Sequence, residues 1–462
     1  MHKPIRKIIV GAVLCGRPPS KKGNHTGLPL RIVTLIFVAF CFTGLSEAAE
    51  PRILTLEEAL SIAREKNRDI ERAREYGRYV EGKYVEERSA ALPQLTLSGN
   101  VNRSQDDSQA ALFGGLISTR TDTRAIDVSL SQPLYTWGKV GAAIRAAKVG
   151  MQTSEDRLRQ ARQSAERDAS AAFYDVLLAR ELLGTARQNL EQKERHLDEV
   201  RRKYAAGVAT DYDVLAAEVA VANARPEVIR SENRVRSTRD RLSFTLALDQ
   251  EVDATGSLVA GQQALVGYDD ALTSARKNRP ELQELRHKIG IAGELVTIAN
   301  ADDRPRLDLK GAYGWRQLES GSTTADGFAW NAGVYLSFPF FDGLKTRGRV
   351  TQAESDLRSL NVDEAKLVDS IALEVRDAVN SVRESDEIVT ALSGTVTQAE
   401  RLLSMAEKGY ELGVKIRLEV DDAELNLMQA RGNLARARRD LLVARTNLAW
   451  VMGVLGEKGM EK

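Results

Sequence analysis

The stretch AERDASAAFYDVLLARELLGTARQNLEQKERHLDEVRRKY, residues 165–204, decides the fold. Read in sevens it carries one seam: Ala165, Ala169, Ala172, Val176, Ala179, Leu183, Ala186, Leu190, Lys193, Leu197, Val200 and Tyr204. The steps alternate four and three, the spacing of a left-handed coiled coil. Lys193 is the one charged member. No proline falls between Gly138 and Tyr204, so the region reads as one helix of roughly 65 residues, about 100 Å long at the usual rise. Ordinary globular helices are several times shorter.

The seam returns in the second half of the chain as Ile371, Val375, Ala378, Val382, Ser385, Val389, Leu392, Val396, Ala399, Leu403, Ala406 and Tyr410. Two matching long helices imply an internal repeat. Alanine-rich seams let helices approach closely, which suits a wide ring of helices better than a thick apolar core. From the seams alone, a cytoplasmic coiled-coil scaffold and a membrane-linked tube fit equally well.

The remaining composition narrows this. Of 462 residues, 28% are charged and only 5% aromatic, which favours long solvated helices over compact globules. A net charge of +1 gives no reason to expect nucleic acid as a partner. His2, His25, His196 and His287 are scattered and form no metal-ligand spacing. Both cysteines, Cys15 and Cys41, fall near the start, which leaves the body without a disulfide or a thiol nucleophile.

The N-terminus reads as an export signal at residues 1–48. Lys3, Arg6, Lys7, Arg17, Lys21, Lys22 and Arg31 lead into an apolar run from Ile32 to Phe42. Ser46 and Ala48 then fit the −3 and −1 places of a cleavage site. The run is too short for a permanent span. Phe40 stands before Cys41 where lipidation needs a small residue. Export and the lack of cysteine argue against the cytoplasmic scaffold and place the chain in or beyond a Gram-negative periplasm.

Two structural repeats follow, at 49–256 and 257–462. In the first, a helix from Leu54 to Ser89 opens with Thr55 and Glu58 spaced as a capping box and ends before Pro93. Two period-two runs at 93–135 form a hairpin: Leu95, Leu97, Val101, Ile126, Val128 and Leu130 on one face, Ser, Thr, Asn and Asp on the other. The long helix at 138–205 stops at Gly207, and a helix at 211–248, capped by Asp211, carries Pro226 as an expected kink or break. Asp249 to Gly267 shows no clear periodicity and reads as the linker between the halves. The second repeat has a helix at 269–300, a hairpin at 305–341, a long helix at 343–411 and a helix at 417–452.

Four membrane-type strands per chain are too few to close a barrel, and open edges are not tolerated in lipid. Three chains would supply twelve. Stacked end to end, two short helices match one long helix, so three chains also give twelve helical columns. The expected fold is therefore mainly α with membrane β: a trimeric twelve-stranded outer-membrane β-barrel, continued by a long periplasmic α-helical coiled-coil barrel, with internal duplication. The alternative is a non-pore periplasmic coiled-coil structural protein. An enzyme is disfavoured, because neither a partnered nucleophile nor a Gly-rich phosphate loop follows a strand.

The pattern resembles the TolC-type outer-membrane efflux proteins over about residues 50–455. The resemblance rests on Leu54-Thr-Leu-Glu-Glu-Ala-Leu60, on the corners Gln132-Pro-Leu-Tyr-Thr-Trp-Gly138 and Phe338-Pro-Phe-Phe-Asp-Gly343, and on the tips Tyr204–Leu215 and Tyr410–Val420. It implies a homotrimeric passive duct for efflux or type I secretion, held in outer-membrane lipid. The duct would dock a periplasmic adaptor protein and an inner-membrane transporter of the RND, ABC or MFS type, with no cofactor, no metal and no nucleic acid. It further implies a closing network of Asp213, Tyr410 and Lys415, with lysine where arginine is common. Glu419 and Asp422 match an acidic ring at the tunnel entrance. Gly207, Val208, Gly413 and Val414 form exposed turns suited to adaptor contact.

Overall fold

The structure, a computed structural model, describes residues 51–106, 120–261 and 264–456. The expected leader at 1–48, with both cysteines, lies outside the described residues, as do residues 107–119 of the expected polar loop in the first hairpin. In chain order the first repeat runs β1 (Arg52–Leu54), α1 (Leu56–Lys66), α2 (Arg68–Ser89), β2 (Gln94–Gln105), β3 (Arg120–Tyr135), α3 (Lys139–Ala205), α4 (Asp211–Thr245) and β4 (Val252–Ala254). The second runs α5 (Tyr268–Asn278), α6 (Pro280–Asn300), β5 (Arg306–Ser320), β6 (Thr323–Ser337), α7 (Lys345–Glu411) and α8 (Arg417–Val451).

The long helices α3 and α7 have 67 residues each, and the returning helices α4 and α8 have 35 each. Their seams are buried at Ala169, Val176, Ile371 and Val375, among others, and partly buried toward the tips, where Tyr204 is exposed. Each long helix enters from its strand through two successive residues in the left-handed region. These are Trp137 (φ 49°) with Gly138 (φ 82°), and Gly343 (φ 67°) with Leu344 (φ 68°). Trp137 and Leu344 hold that conformation against a cost of roughly 1 kcal/mol each. Thr136 and Asp342 accept the first free helical N–H groups, from Val140 at 3.3 Å and Thr346 at 2.8 Å.

Several elements differ from the sequence reading. The helix expected at 54–89 begins at Leu56, with the Thr55–Glu58 capping box closed, and breaks at Asn67. Asn67 is extended, and its side-chain oxygen accepts from Asp69 N–H at 2.9 Å and Ile70 N–H at 3.4 Å. An internal N-cap thus outcompetes continuation of the helix. The helix at 269–300 breaks at Arg279, because Pro280 pushes its predecessor out of helical geometry. Pro226 does not break α4, which runs through it. Thr210, not Asp211, is the N-cap of α4. The supposed linker contains β4, which pairs in parallel with β1.

That two-stranded sheet lies in the larger core. Leu54, Val252 and Ala254 pack with Phe173 and Val176 of α3 and with Leu242 and Leu246. Burying a side chain such as Phe173 or Leu242 contributes about 2 kcal/mol each. A second core joins Ile371 and Val375 of α7 to Leu282, Leu441 and Leu448.

The other sheet is antiparallel in the order β2-β3-β5-β6. Its register aligns Leu97, Val128, Tyr313 and Trp330 in one cross-strand row and Gly99, Ile126, Trp315 and Phe328 in the next. The opposite face carries the row Thr96, Ser129, Ala312 and Asn331. Tyr313 and Phe328 stack at 5.7 Å. Gly314 permits the close β3–β5 approach, since a Cβ there would lie 2.4 Å from the Ile126 carbonyl oxygen. β2 and β6 are the two edges.

Candidate functional site

Two helix-hairpin tips carry the residues singled out above. Each long helix ends in a Schellman motif, which needs a left-handed residue just past the cap. Val208 N–H donates to the Lys203 carbonyl at 3.0 Å, and Gly207 N–H to the Tyr204 carbonyl at 2.9 Å. At the second tip Val414 N–H donates to the Gly409 carbonyl at 2.9 Å and Gly413 N–H to the Tyr410 carbonyl at 3.0 Å. Gly207 (φ 75°) and Gly413 (φ 74°) supply the left-handed residues. Val208 and Val414 consequently project into solvent, 75% and 76% exposed.

The returning helices start differently. Thr210 and Asp213 make a complete capping box: Thr210 N–H donates to Asp213 Oδ2 at 2.8 Å, and Asp213 N–H to Thr210 Oγ1 at 3.3 Å. The Thr210 N–H and hydroxyl hold the Asp213 carboxyl below its usual range. At the second tip Ile416 offers no acceptor, so only half of the box forms, with Ile416 N–H donating to Glu419 Oε2 at 3.1 Å. Glu419 also ion-pairs with Lys415. Lys415, and next the Ile416 N–H, keep the Glu419 carboxyl below its usual range. The Lys415 stem folds over Gly409, where a Cβ would lie 2.4 Å from its Cγ. Asp422 is exposed.

Within one chain, Asp213, Tyr410 and Lys415 therefore have separate partners. Asp213 belongs to its cap and Lys415 to Glu419. The Tyr410 ring lies 5.7 Å from Lys203 Nζ of the other hairpin, and Lys203 is in turn held by Glu199 at 2.6 Å. Lys203 carried no signal in the sequence beyond being one of many basic helix-end residues.

Deeper between the hairpins lies a charge cluster that sequence reading recognised only as an irregular seam member. Lys193 Nζ of α3 donates to Asp421 at 2.8 Å and to Glu424 at 2.6 Å, both on α8. The Gln192 amide donates to Glu424 at 2.6 Å, and Arg417 reaches Asp421 at 2.9 Å. Burial works to raise the Asp421 pKa, but Lys193 and Arg417 overcome it and hold the carboxyl below its usual range. His196, one turn from Lys193, has its pKa lowered by burial first and by Arg417 next, which keeps it uncharged at neutral pH.

Among the described residues, no group of His, Cys, Asp and Glu is placed to hold a metal ion, and no helix is long and apolar enough to cross a membrane. The tips thus offer exposed apolar turns, paired surface charges and a buried ionic link.

Known proteins resemble this chain in sequence and fold. The family profile described as "Outer membrane efflux protein" matches residues 59–266 and 271–454. Outer membrane protein TolC of Vibrio cholerae is 24% identical over 384 residues, 80% of this chain and 84% of that protein. Alkaline protease secretion protein AprF of Pseudomonas aeruginosa is 30% identical over 188 residues, 40% of this chain and 39% of that one. The fold matches the Campylobacter jejuni CmeC outer membrane channel with a TM-score of 0.75 at 16% identity, over 86% of this chain and 85% of that chain. The chain belongs to the outer membrane efflux protein family, the TolC-type channels of the Gram-negative outer membrane that serve efflux pumps or type I secretion.

Proposed function

We propose that three copies of this chain share one passive duct through the outer membrane and periplasm. The open four-stranded sheet is the observation that carries this reading. Its edges, β2 and β6, offer unpaired backbone groups, while Leu97, Val101, Phe328 and Trp330 expose an apolar face. Lipid tolerates such a sheet only when its edges are closed. Joining β2 of one copy to β6 of the next in a ring of three gives twelve strands, with the apolar rows toward lipid and the Thr96–Asn331 row toward the lumen.

The equal lengths of α3 and α7, and of α4 and α8, support the reading of an internal duplication. Stacked α1 and α2 complete the first pair of columns, and α5 and α6 the second. The same threefold ring then yields a helical barrel. At its far end exposed Asp213 and Lys415 and half-buried Tyr410 form the closing network where neighbouring copies meet. Glu419 and Asp422 form the acidic entrance ring. The turns at Gly207, Val208, Gly413 and Val414 receive a periplasmic adaptor, which links the duct to an inner-membrane transporter. Nothing in this role requires a catalytic step.

Planar bilayers test the reading. Detergent-purified protein is expected to insert as discrete, cation-preferring conductance steps. A protein that stays soluble without detergent and never conducts is the non-pore structural coiled coil instead.

A further inference from the structure

A trough runs along one face of α3, walled by α2 and then α4 on one side and by α6 and then α8 on the other. Every seventh residue of α3 from Ala143 to Thr185 lies on its floor. Its upper end reaches Gln94, Ser131 and Ser337, strand positions on the same face as the Thr96–Asn331 row. In the threefold ring that face lines the lumen, so the trough belongs to the inner wall of the duct.

The lowest section, about 940 Å³ between α4 and α8, is cationic. Arg230, Arg234, Arg241 and Arg436 line it, against Asp175 and Glu227. Both acids are already taken, Glu227 by Arg230 at 3.1 Å and Asp175 by Arg439 at 2.7 Å. Arg234, Arg241 and Arg436 are exposed and have no ion-pair partner among the described residues. Arg436 donates to the Asn433 side chain at 2.9 Å. The hold of α4 on α3 rests on buried residues such as Leu242, so packing does not require the three arginines.

Their spacing speaks for the kind of anion. Arg234 and Arg241 stand seven residues apart on one helix, about 10 Å along its axis. Arg436 lies across α3 from them. A single small anion cannot reach all three. An extended chain of the polyproline II kind advances about 3.1 Å per residue with three residues per turn. Acidic side chains three apart on it share one side, about 9 Å from each other, which matches the arginine spacing. Guanidinium groups also fit carboxylates as a fork of parallel donors. Screening confines these charges to about 8 Å at physiological salt, so they act on chain that touches the wall and leave ion selectivity to the narrow tip.

We propose that the wall between α4 and α8 is a binding site for acidic, extended polypeptide, and holds carboxylate-rich segments as they pass along the duct. The inference rests on the duct reading and gives it a class of cargo.

The test uses a fluorescein-labelled decaglutamate peptide and the purified protein in detergent. The parent should bind the peptide, and binding should weaken as salt rises. Arg234→Gln, Arg241→Gln and Arg436→Gln together should weaken it about tenfold, since each exposed charge contact is worth roughly a factor of two. Lysine at the same three positions should retain most of the affinity. Arg236→Gln with Arg438→Gln, in grooves on the opposite side of α3, should leave it within about twofold of the parent. In planar bilayers the peptide, added at the barrel opening, should block the parent at about tenfold lower concentration than the triple glutamine variant. Equal affinity in the parent and that variant would overturn the site. So would an equal loss in the outer-face variant, or free glutamate competing as well as decaglutamate at equal carboxylate concentration. A parent that binds the peptide through these arginines yet never conducts would overturn the duct, and with it the passage of cargo, but not the site.

Discussion

Replacing Glu419 and Asp422 together by alanine is expected to abolish most of the channel's affinity for a blocking trivalent cation. Three copies place six carboxylates around one axis in the proposed duct. A trivalent cation about 8 Å from a single carboxylate gains roughly 1.5 kcal/mol even at bulk-water permittivity, more than tenfold in affinity. The two acids should not contribute equally. Glu419 is ion-paired with Lys415 and engaged by the Ile416 N–H, whereas Asp422 is exposed. Asp422→Ala should therefore account for most of the loss, and Glu419→Ala should mainly loosen the tip. The depressed Glu419 pKa sets the pH sense of that second effect. Its pairing is complete above the ordinary carboxylate range and is lost as pH falls through the lower folded value. Titrating the block by six-coordinate trivalent complexes from either side of the bilayer measures this, and unchanged affinity in the double variant would remove the ring from the account.

The second large effect is expected in the sheet. Trp330 sits mid-strand in β6, in the row with Leu97, Val128 and Tyr313. An arginine facing lipid at mid-depth costs about 2–4 kcal/mol, so Trp330→Arg should cost a trimer on the order of 6–12 kcal/mol. That matches the entire stability of many domains. Assembled protein in the outer membrane should fall to a small fraction of the parent level. Asn331→Arg, one residue on but on the polar face, should assemble normally because it meets water in the lumen. Quantifying assembled trimers in membrane fractions separates the two. Equal tolerance of both, or equal loss, would mean that the faces are assigned wrongly.

These expectations divide between what periodicity revealed and what it could not. Seam spacing located both long helices because a hydrophobic repeat sustained over many turns has one structural solution. Alternation located the strands for the same reason, and the observed register keeps Leu97, Val128 and Trp330 on one face. Punctuation at single residues was less legible. Asn67 breaks a helix through its own side chain, and that choice depends on the Thr245 carbonyl, which accepts its amide at 3.3 Å from far along the chain. β1 and β4 are three residues each, too short for any period, and exist because parallel pairing across the core stabilises them. The tips show the same division. Gly207 and Gly413 mark the turns in sequence, but the partners of Lys193 and Tyr410 come from the opposite hairpin. Lys193 did stand out as the charged member of an apolar seam; nothing local identified Asp421 and Glu424 as its acceptors.

The number of chains in one assembly tests the central claim most directly. Detergent-purified protein, measured by mass in solution and viewed down its long axis by electron microscopy, should contain three chains around a single hole. A stable monomer with its four-stranded sheet left open, or a ring of any other number, would contradict it.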